Sequence, residues 1–157
     1  MDANIVAKLR TETGAGVMDC KRALEESGGD QEKAKKILAS NAASIAKKKA
    51  ERATKHGLVE SYVHGGRIGV LLELASESDF VARNDEFKDL AHQICLQIAS
   101  MSPKDINELL KQEFIMDSSQ TVKDLIESKI AKIRENIRIN RFIRFELGEQ
   151  PELSTEE

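Results

Sequence analysis

The spacing of apolar residues divides the chain into a helical opening, a pair of strands, a helical return and a last strand. Ile5, Val6 and Leu9 share one face of a helix over residues 3–13. Gly14-Ala15-Gly16 breaks that helix, because glycine raises the entropy cost of helical backbone. Val17, Cys20, Ala23 and Leu24 mark a second helix from Val17 to Ser27, with these residues inward, and Gly28-Gly29 ends it. Asp30 is a good N-cap for a third helix carrying Ala34, Ile37 and Leu38. Residues 1–40 therefore read as a three-helix module with a small core. Residues 41–56 are rich in Ala and Lys, a composition that favours helix, and read as a basic linker helix.

At Gly57 the period changes. Leu58–Val63 and Ile68–Leu74 flank His64-Gly65-Gly66-Arg67, a hairpin signal because glycine accepts the positive φ of tight turns. Phe87, Leu90, Ala91, Ile94 and Ile98 then recur at helical spacing, predicting a helix from Glu86 to Ser100 that Ser102-Pro103 stops. Residues 102–121 are the least legible; Asp105–Phe114 suits one further helix and Asp117-Ser118-Ser119 a turn. Val122, Leu125, Ile126, Ile130, Ile133 and Ile137 form the apolar stripe of an amphipathic helix. Ile139–Glu146 alternates as a third strand, with Ile139, Arg141, Ile143 and Phe145 on one face and Asn140, Phe142, Arg144 and Glu146 on the other. Residues 149–157 are expected to be a disordered acidic tail. The expected architecture is α+β: the helical module, the linker, and a core over residues 57–148 in which helices pack on a three-stranded antiparallel sheet.

Composition narrows the functions open to such a fold. Of 157 residues, 40% are hydrophobic and 32% charged, enough for a core in a soluble chain, and the net charge of -3 implies no dominant nucleic-acid surface. The basic run Lys47–Lys49 has no interleaved aromatic to stack on bases, so it reads as a solvated helix face. Cys20 and Cys95 are far apart in helical contexts and are expected as buried free thiols. With the scattered His56, His64 and His92 they form no metal-ligand cluster. No apolar run approaches the roughly 20 residues that span a bilayer, and no cleavable signal pattern opens the chain, so a cytoplasmic protein is expected. An enzyme built on Asp79, Asp85 and Glu86 would need converging titratable groups, yet this acidic turn contains no histidine and no nucleophile–base pair.

The turn itself, Ser78-Asp79-Phe80-Val81, sits where a strand hands over to a helix. Phe80 lies outside both apolar patterns. On spacing alone it caps the local core and Asp79 starts a helix, just as Gly14–Met18 alone reads as a tight turn. A resemblance changes both readings. Ser78-Asp79-Phe80-Val81-Ala82-Arg83-Asn84 resembles the Thr-Asp-Phe-Val-Ala-(Arg/Lys)-Asn signature of the elongation factor Ts family, with Ser78 keeping the hydroxyl of the usual threonine. The stretch from Leu9 to Leu24 is similar to the family's N-terminal signature, with Val17 where methionine is usual. Ala131-Lys132-Ile133-Arg134-Glu135-Asn136-Ile137, followed by Arg141-Phe142 and Phe145-Glu146-Leu147-Gly148, is similar to a third, with Arg134 replacing a usual glycine. The matches come in the family's order and span Ile5 to Gly148.

The resemblance implies a guanine-nucleotide exchange factor for the translational GTPase elongation factor Tu, with a ubiquitin-associated-type (UBA-like) N-terminal module. It implies that Asp79 and Phe80 act at the GTPase's magnesium site, Phe80 wedging between helices and Asp79 either orienting the loop or contacting a polar group of the partner. Ser78 and Val81 would hold the turn, and Arg10, Val17 and Met18 would make a second contact. Such a factor acts by binding rather than as an enzyme. It needs no cofactor or metal of its own and has neither nucleic acid nor membrane as partner. It belongs in a bacterial-type cytoplasm or an organelle of bacterial origin. Longer members carry a duplicated core where this chain has one copy, so the uncovered sheet face is expected to pair in a homodimer, the alternative being that residues 102–121 fold back over it in the monomer. The alternative is a non-catalytic UBA-type interaction module, which accounts for residues 3–40 and leaves the others unexplained.

Overall fold

The computed structural model describes residues 2–149, so most of the tail expected at 149–157 lies outside the described residues. Three helices open the chain: α1 (Ala3–Thr13), α2 (Val17–Glu26) and α3 (Gln31–Lys49). Leu9, Cys20, Ala23, Leu24, Ala34 and Leu38 close a small core between them, with Ile5 and Val6 against it. The Asp30 carboxylate caps α3 by accepting the Lys33 N–H at 3.1 Å. Val17, expected inward, is instead half exposed at the first turn of α2.

No separate linker helix exists. Ala- and Lys-rich sequence contains nothing to stop a helix near residue 40, so α3 runs on to Lys49 and ends at Ala50. Its second half buries Ala42 and Ala46, and Ala46 joins the main core. One helix thus serves the bundle with its first half and the core domain with its second.

The rest of the chain folds in the order β1 (His56–His64), β2 (Ile68–Ser76), α4 (Asp79–Ala82), α5 (Asp85–Met101), α6 (Ile106–Lys111), β3 (Glu113–Phe114), β4 (Asp117–Thr121), α7 (Val122–Ile133) and β5 (Ile137–Glu146). The main sheet is antiparallel with order β1-β2-β5. Gly65 and Gly66 both take positive φ in the β1–β2 turn, closed by the Arg67 N–H on the His64 carbonyl at 2.9 Å. Gly57 is required for a different reason: a Cβ there would sit 2.2 Å from the Leu74 carbonyl oxygen. Leu72 and Leu74 of β2 face Phe87, Leu90, Ile94 and Ile98 of α5 across one sheet face. α3 lies against α7.

Two expectations fail at the sheet's far edge. Ile137, assigned to the apolar stripe of the last helix, begins β5, because α7 ends at Ile133 and Arg134 reverses the chain with φ 68°. Along β5 the simple alternation breaks. Glu73 pairs with Arg141 but Leu74 with Ile139, so Asn140 is the extra residue of a bulge. Ile137 and Ile139 before it face the core, as do Phe142 and Arg144 beyond it, while Arg141, Ile143 and Phe145 face out. Arg144 on the covered face is used: its guanidinium donates to the Ala99 carbonyl near the C-terminus of α5 at 3.1 Å.

Asp105–Phe114 also differs from the single helix expected, and Asp117-Ser118-Ser119, expected as a turn, lies in β4. α6 is short, and Glu113–Phe114 pairs with Asp117–Thr121 as a small hairpin. The cause is Gln97, fully buried on α5. Its amide donates to the Glu113 carbonyl at 3.0 Å and its oxygen accepts the Ile115 N–H at 2.9 Å, which pulls the backbone out of the helix.

Candidate functional site

The turn after β2 is built around Ser78. Its hydroxyl oxygen accepts the Val81 N–H at 3.2 Å and caps α4, so Ser78 rather than Asp79 is the N-cap. α4 is a single turn, packed on β1, β2 and α5. Val81 and Ala82 are buried beneath it. Successive residues on one helical turn point in different directions, so anchoring Val81 and Ala82 inward turns Phe80 outward. Phe80 is 82% exposed, the most exposed of the large hydrophobic side chains among the described residues. The reading that Phe80 caps the local core therefore fails. Asp79 lies on the first turn of α4 and pairs with Arg83 one turn on, Nη2 to Oδ2 2.7 Å, both side chains exposed.

The turn is held from behind as well. The Ser76 hydroxyl donates to the Ser78 carbonyl at 2.9 Å, and the Glu135 carboxylate accepts from both the amide and the hydroxyl of Ser78. Asn84 then caps α5 by accepting the Glu86 N–H at 2.8 Å. Glu86 receives Lys129 at 3.0 Å and Lys132 at 2.8 Å from α7. Burial alone would push its carboxyl up, but the hydrogen bonds from Lys132 and Lys129 outweigh that and hold it below the usual carboxylate range.

The second set of candidates gathers at the α1–α2 turn. Arg10 is exposed in the last turn of α1 and its carbonyl accepts the Gly14 N–H at 2.8 Å. Val17 and Met18 open α2, Met18 64% exposed. Beside them Asp19 faces Arg134 of the core domain at 3.7 Å. The structure thus presents two exposed apolar tips, Phe80 and Val17-Met18, on elements rigidly backed by buried residues. Sequence reasoning missed Glu135. Its role depends on pairing with a residue 57 positions away, which periodicity does not register.

Neither cysteine offers a nucleophile. Cys20 and Cys95 are both buried and free, and burial, reinforced by Glu60, pushes the Cys95 thiol up to about 12. Among the described residues no group of three or more acidic, histidine or cysteine side chains is placed to hold a metal ion. No helix among them is long and apolar enough to cross a membrane.

The profile of the family described as elongation factor TS matches residues 77–153. The chain is 44% identical to elongation factor Ts of Thermotoga neapolitana over 94% of this chain and 97% of that protein. It is 42% identical to elongation factor Ts of Thermoanaerobacter pseudethanolicus over the full length of both, and 44% identical to that of Carboxydothermus hydrogenoformans over 94% and 89%. The Thermoanaerobacter alignment runs to 203 residues against 157 here, so that relative carries internal residues that this chain lacks.

Proposed function

The chain belongs to the elongation factor Ts family, and on that premise we propose that it releases GDP from elongation factor Tu by setting Phe80 against the elements that hold the GTPase's magnesium ion. Nucleotide exchange on elongation factor Tu is the family's function. An exchange factor binds the nucleotide-free GTPase better than the loaded one, and by linkage it weakens nucleotide binding by the same factor. Magnesium is the vulnerable part of the loaded site, because it demands near-ideal octahedral geometry and bridges protein to phosphate. The observation that carries this reading is the exposure of Phe80 on a turn whose neighbours Val81 and Ala82 are buried. An aromatic ring held out in this way costs little further entropy when a partner encloses it.

Within this reading Ser78 and Val81 fix the turn, and Asp79, occupied by Arg83, orients it. Arg10, Val17 and Met18 form a second contact, so the helical module and the core domain act as two contact regions on one chain. The factor works through binding and makes or breaks no covalent bond. Its place is the bacterial-type cytoplasm in which the GTPase works.

The proposal extends to a homodimer. Val59, Val63, Leu71, Ile143 and Phe145 are exposed on the uncovered sheet face, with the Glu73–Arg141 pair among them. A second copy rotated by a two-fold axis meets apolar with apolar and offers each Glu73 a second arginine.

Release of a fluorescent GDP from elongation factor Tu tests the function. Catalytic amounts of this protein are expected to speed it, and an unchanged rate with folded protein at micromolar concentration rejects the proposal. Phe80→Ala is expected to cost about 2 kcal/mol, on the order of thirtyfold, in binding to the nucleotide-free GTPase, with unchanged thermal unfolding. A loss of fold stability instead would make Phe80 a core residue.

A further inference from the structure

The loop that leaves α7 touches both candidate contact regions. Arg134 reaches Asp19, the neighbour of Met18, at 3.7 Å. Glu135 turns to the other side: Oε1 accepts the Ser78 N–H at 2.9 Å and Oε2 the Ser78 hydroxyl at 2.6 Å. Asn136, almost fully buried, answers with its own backbone, donating its N–H to Glu77 Oε1 at 2.7 Å. Its side-chain amide donates to the carbonyls of Ala50 and Arg52 beyond the end of α3, at 3.4 and 2.9 Å. Arg52 returns to Glu77 at 3.7 Å. Two adjacent residues of one loop and two of the other thus exchange backbone and side-chain bonds reciprocally, and the end of α3 is tied into the same knot.

The bond directions are fixed. The Ser78 hydroxyl oxygen accepts from Val81, so its proton goes to Glu135, and a carboxylate is acceptor only. A one-turn helix cannot sustain itself, because nucleation is unfavourable without propagation. What holds the N-cap of α4 therefore sets how the turn stands, and with it the direction of Phe80.

We infer that Glu135 is a positioning residue for exchange: through Ser78 it fixes the turn that carries Phe80 before the GTPase is met. This rests on the reading of Phe80 as the residue that acts on the GTPase. Pre-ordering spares the entropy that a loose turn loses in the exchange step, when the ring engages a GTPase already met through the other contacts. The other contacts, at Arg10, Val17 and Met18, do not depend on Ser78, so the defect of a Glu135 variant falls on release rather than on encounter.

Full-length Glu135→Ala, Glu135→Gln, Phe80→Ala and the Glu135→Ala/Phe80→Ala double variant are assayed for GDP release over a range of factor concentrations, with amide hydrogen exchange followed at Val81 and in β2. Glu135→Ala is expected to lower the saturating release rate about tenfold while the half-saturating concentration moves less than about threefold. The Val81 amide is expected to exchange about tenfold faster with β2 unchanged. Glu135→Gln recovers part of the rate, since its amide oxygen still accepts one Ser78 donor. The double variant is no slower than Phe80→Ala alone, because the two act in series. Additive losses overturn the inference, as does a full rate in Glu135→Ala. A slow Glu135→Ala beside a fully active Phe80→Ala overturns it too, and with it the reading of Phe80. A slow Phe80→Ala beside a normal Glu135→Ala overturns the inference and leaves the reading of Phe80 standing. If Glu135→Ala also loses protection in β2, Glu135→Gln decides: β2 protection intact and Val81 exchange faster with a full rate overturns the inference, and the same protection pattern with slowed release supports it.

Discussion

Arg134 occupies a backbone position that an L side chain resists. Its φ of 68° puts Cβ against the following carbonyl, at a cost of about 1–2 kcal/mol relative to the right-handed form. Glycine would escape that strain. The arginine gains an ion pair with Asp19 in return, but at 3.7 Å and half exposed such a pair contributes about 0–1 kcal/mol. Glycine also loses more freedom on folding, which trims its advantage to about 0.5 kcal/mol. Arg134→Gly is therefore expected to raise the melting temperature by about 1–2 °C, and a fall in calorimetry would show that the Asp19 link outweighs the strain. Glu86 makes a different prediction. Its carboxyl titrates below the ordinary glutamate value of about 4.3 because of Lys132 and Lys129. A depressed folded value means the stabilisation is complete above the ordinary value and is lost as pH falls through the depressed one. In urea unfolding, Glu86→Gln should be less stable than the parent by a constant amount above about pH 5.5, with the gap closing as pH drops below about 4. A gap independent of pH would remove the ion pairs from the account.

At the scale of elements, what was legible in the sequence followed from periodicity. The hairpin and α5 carry long uninterrupted patterns with glycine or proline punctuation and form near the expected bounds, while α7 starts where its stripe does but stops at Ile133, short of Ile137. The failures have different causes: nothing stops α3 near residue 40, the reversal at Arg134 ends α7 before Ile137, and elsewhere a bulge or a contact distant in sequence overrides the local pattern. Asn140 bulges and moves Ile139 to the opposite face from Ile143. Gln97 converts the end of an expected helix into the β3–β4 hairpin. The site divides in the same way. Phe80 could be singled out because it fits neither neighbouring period, and its high exposure is the physical counterpart of that misfit. Glu135 could not, since its partner Ser78 meets it only in the fold. Gln97→Leu keeps the volume roughly constant but strands the Ile115 N–H and the Glu113 carbonyl. The expected loss is about 2–3 kcal/mol in denaturant unfolding, with amide protection lost first across Glu113–Thr121. A loss below about 0.5 kcal/mol would mean that water or a backbone shift replaces the glutamine.

For the molecule as a whole, the uncovered sheet face is the largest unresolved demand. Helices cover one side of β1-β2-β5, and the bulge at Asn140 decides which β5 residues the other side shows. Phe142 packs against the core, while Ile143 and Phe145 stand out beside Val59, Val63 and Leu71. Antiparallel sheets tolerate a solvated face when that face is polar, which this one is not. The Thermoanaerobacter relative has internal residues beyond those of this chain, and the proposed cover here is a second subunit. Sedimentation equilibrium is expected to give about twice the 17.5 kDa chain mass at micromolar concentration. Ile143→Asp or Phe145→Asp should return the chain to that single mass as a folded monomer that loses only the stabilisation due to association, because both side chains are exposed in the monomer. Phe142→Asp should instead destabilise the fold itself, since it places a charge on the covered face. A single-chain mass for the parent across the concentration range rejects the dimer.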